Sequence, residues 1–260
     1  MILKPGRQPH INHNPQVQAY YCGLESRIGY QLLLGGTRHF GCYKHKLAAS
    51  LGLLSGSYVL DAGCGVGHVA LRLATKHGLR VEDIDIINHH LHKARLNFAR
   101  SGLPKRQIAV QKMDYHHLEG VAAETLDGFY TSETFIFCIL KRGGRLVMHK
   151  YDHDVPVDTL GFITHCALQI NEFVGMPTNS LSHRGALQRM LEDAGFVDVT
   201  VQHYSENIKP IARLFYVLAF ILYFINTVGG FAAYYYHIYW RYLAITATKP
   251  VPPVGGARND

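Results

Sequence analysis

The sequence predicts an α/β fold: a doubly wound, mostly parallel sheet with an antiparallel closing strand, preceded by a helical cap and carrying an apolar helix near its C-terminal end. Three observations predict it. The run YVLDAGCGVGHVALRLA, Tyr58 to Ala74, passes from an apolar strand through a glycine-rich turn into an amphipathic helix. Strand-like and helix-like patterns then alternate, as the right-handed crossovers of a parallel sheet require. Two strand-like runs, FVDVTVQHY and RYLAITATK, close the chain without a crossover pattern between them, which fits an antiparallel edge.

Residues 1–15 and 250–260 carry Pro, Gly and Asn without periodicity and are expected to be disordered. Between them a single domain is expected over 16–249. Its first part, 16–55, reads as a helical cap: Leu24, Ile28, Leu32 and Leu33, then Leu47, Leu51 and Leu54, mark two helices separated by GGTRHFG. Tyr58 to Leu60 is the first strand. Val69 to His77 is a helix that stops at Gly78, the residue type that best adopts the left-handed conformation closing a helix. LRVEDIDI is the second strand, although Glu82 and Asp83 fall where a buried parallel strand tolerates carboxylates only if they are paired.

Asn88 is placed to cap a helix over His89 to Arg100. Ile108 to Lys112 and Leu126 to Thr131 are the third and fourth strands. Arg145 to His149 is the fifth, after a turn KRGG, and Arg184 to Ala194 is a helix ended by Gly195. Pro210 to Val228 is apolar nearly all round, interrupted by Arg213, Tyr216 and Tyr223. It reads as a roof helix over a greasy pocket in preference to a membrane span.

The chain has 260 residues, 48% of them hydrophobic, enough for one sizeable core. Its formal net charge is +7, but no run of five like charges occurs and nucleic acid is not an expected partner. The five cysteines, Cys22, Cys42, Cys64, Cys138 and Cys166, contain no C-x-x-C pair. With a polar N-terminus lacking a signal core, they point to a reducing, cytoplasmic setting, with peripheral membrane contact through 210–228 as an added option. The histidines form no H-E-x-x-H pattern, and the adjacent pairs His89–His90 and His116–His117 point in different directions, so no metal site is expected.

The chemistry concentrates at the turn. Gly63, Gly65 and Gly67 are spaced G-x-G-x-G, whereas the dinucleotide turn of dehydrogenases has two residues before its last glycine; the difference favours S-adenosylmethionine over NAD. The free backbone N–H groups at the N-terminus of the first helix suit the carboxylate of the methionyl part. Asp61 is placed for its amino group. At the end of the second strand Asp85, with Ile86 beside it, is placed to accept the ribose hydroxyls. After the third strand Asp114 can accept from an exocyclic adenine amine while Tyr115 or Met113 covers the ring.

VLDAGCGVGHVALRLA, GLRVEDIDI, QKMDYHHL, LKRGGRLVM and LEDAGFVDV together resemble the successive motifs of the class I S-adenosylmethionine-dependent methyltransferases, over most of Tyr58 to Lys249. The upstream YYCGLESRIGY and TRHFG are similar to segments of the sterol 24-C-methyltransferase and tocopherol methyltransferase group. That resemblance implies a Rossmann-like fold and methylation of a hydrophobic small molecule such as a sterol, terpenoid or polyketide, in lipid or secondary metabolism. It also implies that Asp61 and the three glycines hold the methionyl end, Asp85 the ribose, and Asp114 with Tyr115 the adenine. Tyr20, Tyr21, His39 and Phe40 would cap the cofactor and line the substrate entry.

Two departures stand out. Only SETFIFCIL separates the fourth strand from KRGG, about a dozen residues fewer than the family carries, and Asp83 stands where the family has a small residue. Methyl transfer needs in-line approach to a carbon that is already electrophilic, and a base only if the acceptor carries a proton. Glu133, His149, Asp152 and His153 are candidates for that base. For alkene methylation, Glu133, Tyr20 and Tyr21 would steady a transient cation. The alternative is a relative that keeps the fold and binds the cofactor without turnover, its pocket left incomplete by the short segment.

Overall fold

The computed structural model describes residues 21–23, 44–118, 121–131, 138–152, 183–210, 213 and 241–252. Within them α1 (Lys44–Leu51) precedes β1 (Tyr58–Ala62), α2 (His68–His77), β2 (Arg80–Asp85), α3 (Asn88–Ser101) and β3 (Ile108–Lys112). β4 (Leu126–Thr131), β5 (Leu140–Asp152), α4 (Ala186–Asp193), β6 (Val197–His203) and β7 (Arg241–Thr248) follow. Of the expected helical cap, α1 and the helical Tyr21 and Cys22 are described; the rest, with the 1–15 and 253–260 ends and nearly all of 210–228, lies outside the described residues. No helix among the described residues is long and apolar enough to cross a membrane.

The seven strands form one sheet in the order β3-β2-β1-β4-β5-β7-β6. β1 to β5 are parallel, and β7 runs antiparallel to both β5 and β6. β7 and β6 thus close one edge of the sheet as the expected antiparallel pair, with β6 outermost. Strands β1, β2 and β4 are buried along nearly their whole length, as a parallel sheet covered on both faces requires. One face packs on α1, α2 and α3 through Leu47, Leu51, Leu73, Ala94 and Phe98. The other packs on α4 through Leu187 and Leu191, with Leu60, Ile84 and Phe129 at its centre.

Several expected boundaries move: β1 runs on to Ala62, so that Asp61 lies within the strand, α4 is shorter than expected, and two changes go further. KRGG is not a turn before β5 but a bulge inside it: Leu126 pairs with Leu140 while Gly128 pairs with Arg145, so β5 carries extra residues across that step. Gly143 and Lys249 hold the bulge by Gly143 N–H to Lys249 O and Lys249 N–H to Gly144 O at 2.8 and 2.9 Å. Asn88 is the first residue of α3, not its cap; Ile87 stands at the cap and has no side chain able to do that work. Its own N–H is bound instead by the carboxylate of Asp85 at 2.8 Å. β4 and β5 are joined by residues 132–139, fewer than the dozen or more that a parallel crossover with a helix takes.

Candidate functional site

The glycine turn sits where β1 hands over to α2, at the carboxyl end of the strands and beside the switch between β1 and β4, where open α/β sheets bind ligands. The N–H groups of Gly63 and Cys64 donate to Ile84 O at 2.9 and 3.1 Å, tying the turn to β2. Asn97 of α3 closes it from above through Val66 O at 2.9 Å. Gly67 has φ +76°, and a Cβ there would come within 2.4 Å of the Phe98 ring, so both backbone conformation and packing demand glycine.

Asp85 is buried and accepts three hydrogen bonds: Gly65 N–H at 2.9 Å, Ile87 N–H at 2.8 Å and His90 Nδ1 at 3.1 Å. A carboxylate has about four acceptor positions, so one remains for a ribose hydroxyl and exchange with His90 opens a second. Ile86 lies half-buried beside it. Met113 N–H donates to Asp85 O at 3.2 Å, which brings Asp114 to the neighbouring strand end. Asp114 is buried, and its Oδ1 accepts from His116 N–H and Nδ1, each at 2.9 Å, fixing the carboxylate. The Tyr115 ring lies across the turn, 3.7 Å from where a Gly63 Cβ would stand. A left-handed glycine cradle, an acid bound to its N–H, a second acid one strand over and an aromatic face together fit an adenosyl cofactor with an amino-acid tail.

Beneath the turn lies a feature that such a cofactor alone does not explain. Asp61 and Asp83 face each other in register on β1 and β2, both fully buried. Asp61 Oδ2 accepts no hydrogen bond, and the carboxylate of Asp83 meets only the thiol of Cys64, a weak donor. Burial, reinforced by the charge of Asp85, pushes the Asp61 carboxyl up to about 8, and burial with the charge of Asp61 holds Asp83 well above the usual carboxylate range. Burial likewise keeps Cys64 a neutral thiol. The two acids singled out in the second strand thus part company: Glu82 receives the Tyr58 hydroxyl at 3.0 Å, while Asp83 has no partner beyond the weak Cys64 thiol.

On the same face, register carries the row from Asp61 to Tyr130 on β4 and Val147 on β5. Next to it His149 meets Tyr130 and Tyr242 edge to face, with ring centroids 5.5 and 5.9 Å apart, and Tyr151 lies 5.0 Å from Tyr242. Of the suggested bases, His149 therefore stands in an aromatic cluster and Asp152 is buried at the end of β5. Glu133, His153, Tyr20, His39 and Phe40 lie outside the described residues. Tyr21 reaches the cofactor side, its ring 5.4 Å from that of His90. His90, Tyr130 and Tyr242 were not anticipated. His90 could have been found from its place just inside the helix after Asp85; Tyr130 and Tyr242 come together only through strand order.

A methyltransferase domain family model matches residues 59–145. The chain is 37% identical to an S-adenosyl-L-methionine-dependent Diels-Alderase of Talaromyces variabilis, over 90% of this chain and 94% of that one. It is 43% identical to another of the same description from Neonectria sp. (strain DH2), over 75% of this chain and 87% of that one. A sterol 24-C-methyltransferase of Gibberella zeae is 30% identical over 43% of this chain and 34% of that one. Among solved structures, geranyl diphosphate methyltransferase in complex with GPP and sinefungin superposes with a TM-score of 0.72 at 15% identity, covering 91% of this chain and 100% of that one.

Proposed function

The chain belongs to the class I S-adenosylmethionine-dependent methyltransferases, and from that premise we propose that it is a Diels-Alderase that holds S-adenosylmethionine to shape and polarise its active site. One observation carries the reading: two relatives at 37% and 43% identity, matched over 90% and 75% of this chain and 94% and 87% of theirs, are both named for that reaction. Its substrate is a hydrophobic small molecule bearing a diene and an alkene. In the cycloaddition two carbon–carbon bonds form from the six π electrons, and no proton, hydride or leaving group moves. Such a reaction asks for a folded substrate conformation, exclusion of water and polarisation of one partner. When bound, the cofactor supplies a fixed sulfonium charge.

The chain's own residues do the rest. Gly63, Gly65, Gly67 and Asp61 hold the methionyl end, Asp85 with Ile86 the ribose, and Asp114 with Tyr115 the adenine. The rings of Tyr130, His149, Tyr151 and Tyr242 offer an apolar, polarisable wall on the side of Asp61 away from β2. The short β4 to β5 connection is no handicap here, because a cycloaddition needs no base from that wall.

The second reading is methyl transfer to a hydrophobic small molecule, favoured by the intact turn and by Asp85 and Asp114. In that reading Glu133 or His153 serves as base and Tyr20 steadies developing charge. Incubation of the purified protein with S-adenosylmethionine and linear polyenes separates the two. The proposal expects a cyclic isomer of unchanged mass, cofactor left intact, and turnover retained in Glu133→Gln and His153→Ala. A product heavier by one methylene, formed with an equal amount of S-adenosylhomocysteine, replaces it with the second reading.

A further inference from the structure

We propose that Asp61 and Asp83 are both protonated in the cofactor-free protein, and that seating the cofactor's ammonium group against Asp61 expels one proton to solvent while Asp83 keeps its own. The inference rests on the cofactor occupying the glycine turn, not on which reaction follows. Two carboxylates in register on adjacent strands, both inaccessible to water, have no donor for three of their oxygens beyond the weak thiol of Cys64. Ionised carboxylates so placed would be expensive without a cation. The groups that act on the pair supply none. Asp85 acts on both, and Glu82 and the Cys64 thiol act on Asp83. From β4 Tyr130 adjoins Asp61 as a neutral phenol. From α3 His90 is spent on Asp85, and Phe98 is apolar. The pair is therefore neutralised by protons until a cation arrives.

Asp61 is the member that lets go. It lies two residues before Gly63, on the strand that leads into the turn, whereas Asp83 lies on β2 with its Oδ2 3.2 Å from where a Gly67 Cβ would stand. The exchange balances: the Asp61 O–H bond breaks, its proton leaves to buffer, and the carboxylate formed is matched by the incoming ammonium. Asp83 then remains a neutral acid close beside that new charge, which keeps the buried site from holding two anions. One consequence is that cofactor affinity rises with pH up to about 8, where Asp61 ionises unaided, by close to tenfold per pH unit as one proton is released.

The test is titration calorimetry of the intact protein with S-adenosylmethionine at pH 7 in phosphate and in Tris, whose heats of ionisation differ. The binding enthalpy is expected to differ between buffers by an amount that reports nearly one proton released. Asp83→Asn should keep that release and Asp61→Asn should abolish it. Because Asp61→Asn can weaken binding too far to titrate, difference infrared spectroscopy of the unaltered protein supplies a second readout: a protonated-carboxyl C=O band should disappear on binding. Buffer-independent enthalpy with no loss of that band overturns the proposal, and so does release that persists in Asp61→Asn. Absence of binding in the unaltered protein overturns the placement of the cofactor itself, a distinct result.

Discussion

Single side chains in the turn carry separable loads. Asp85 gathers two backbone N–H groups and His90 onto one carboxylate, so Asp85→Ala removes both the anchor of the turn and an acceptor for the cofactor. Charge-assisted hydrogen bonds of this kind are worth about 1.5–3 kcal/mol, so S-adenosylmethionine should bind roughly 10 to 100 times more weakly, measured by calorimetry. Gly67 is loaded differently: Gly67→Ala meets a left-handed backbone and the Phe98 ring together, and should lower unfolding free energy by about 2–4 kcal/mol in denaturant titration. Phe98→Leu in the same chain should restore the steric part alone. The buried acids set a pH dependence. Asp61, held up to about 8, keeps its proton where an unfolded carboxylate has lost it, so the native state binds more protons between the usual carboxylate range and 8. The cofactor-free protein should therefore lose thermal stability as pH rises through that window, and Asp61→Asn should make the fall of melting temperature with pH shallower, leaving the share that belongs to Asp83. The oddity of Asp83 was legible in the sequence as an acid inside an apolar strand; that it lies opposite Asp61, with no cation beside either, needed the register of β1 on β2.

Elements were read most faithfully where a strand is short, apolar and bounded by turn residues. β3 and β4 have the expected limits, and α2 and α3 begin one residue early. β5 was underestimated because a double glycine reads as a stop, whereas Lys249 of the final segment grips the bulge from a hundred residues away, beyond the reach of local pattern. The same long-range logic holds α1. Arg145 of β5 reaches Thr248 of β7 with one guanidinium nitrogen and Ser50 O of α1 with the other at 3.3 Å. Leu47 and Leu51 supply the apolar contact, and Arg145 supplies the register. Arg145→Ala should leave the sheet folded, with about 1–2 kcal/mol less stability, yet raise amide hydrogen exchange selectively over 44–51.

At the scale of the whole molecule, strand order is what the sequence conveyed least. The alternation of patterns announced a parallel sheet, and the turn announced its cofactor edge, because both are local. The aromatic group of Tyr130, His149, Tyr151 and Tyr242 draws on β4, β5 and β7, and residues so far apart in sequence carry no shared period. The position of β7 also bears on how the chain is made. β5 and β6 leave the ribosome well before the strand that belongs between them, so until 241–248 emerge both present open backbone to any passing strand. A nascent chain stalled at residue 240 should accordingly be captured by chaperones or aggregate, which fractionation of arrested translation products measures. Release at residue 252 or beyond should yield soluble protein: among the described residues, the last strand to be synthesised is the one that seals the sheet.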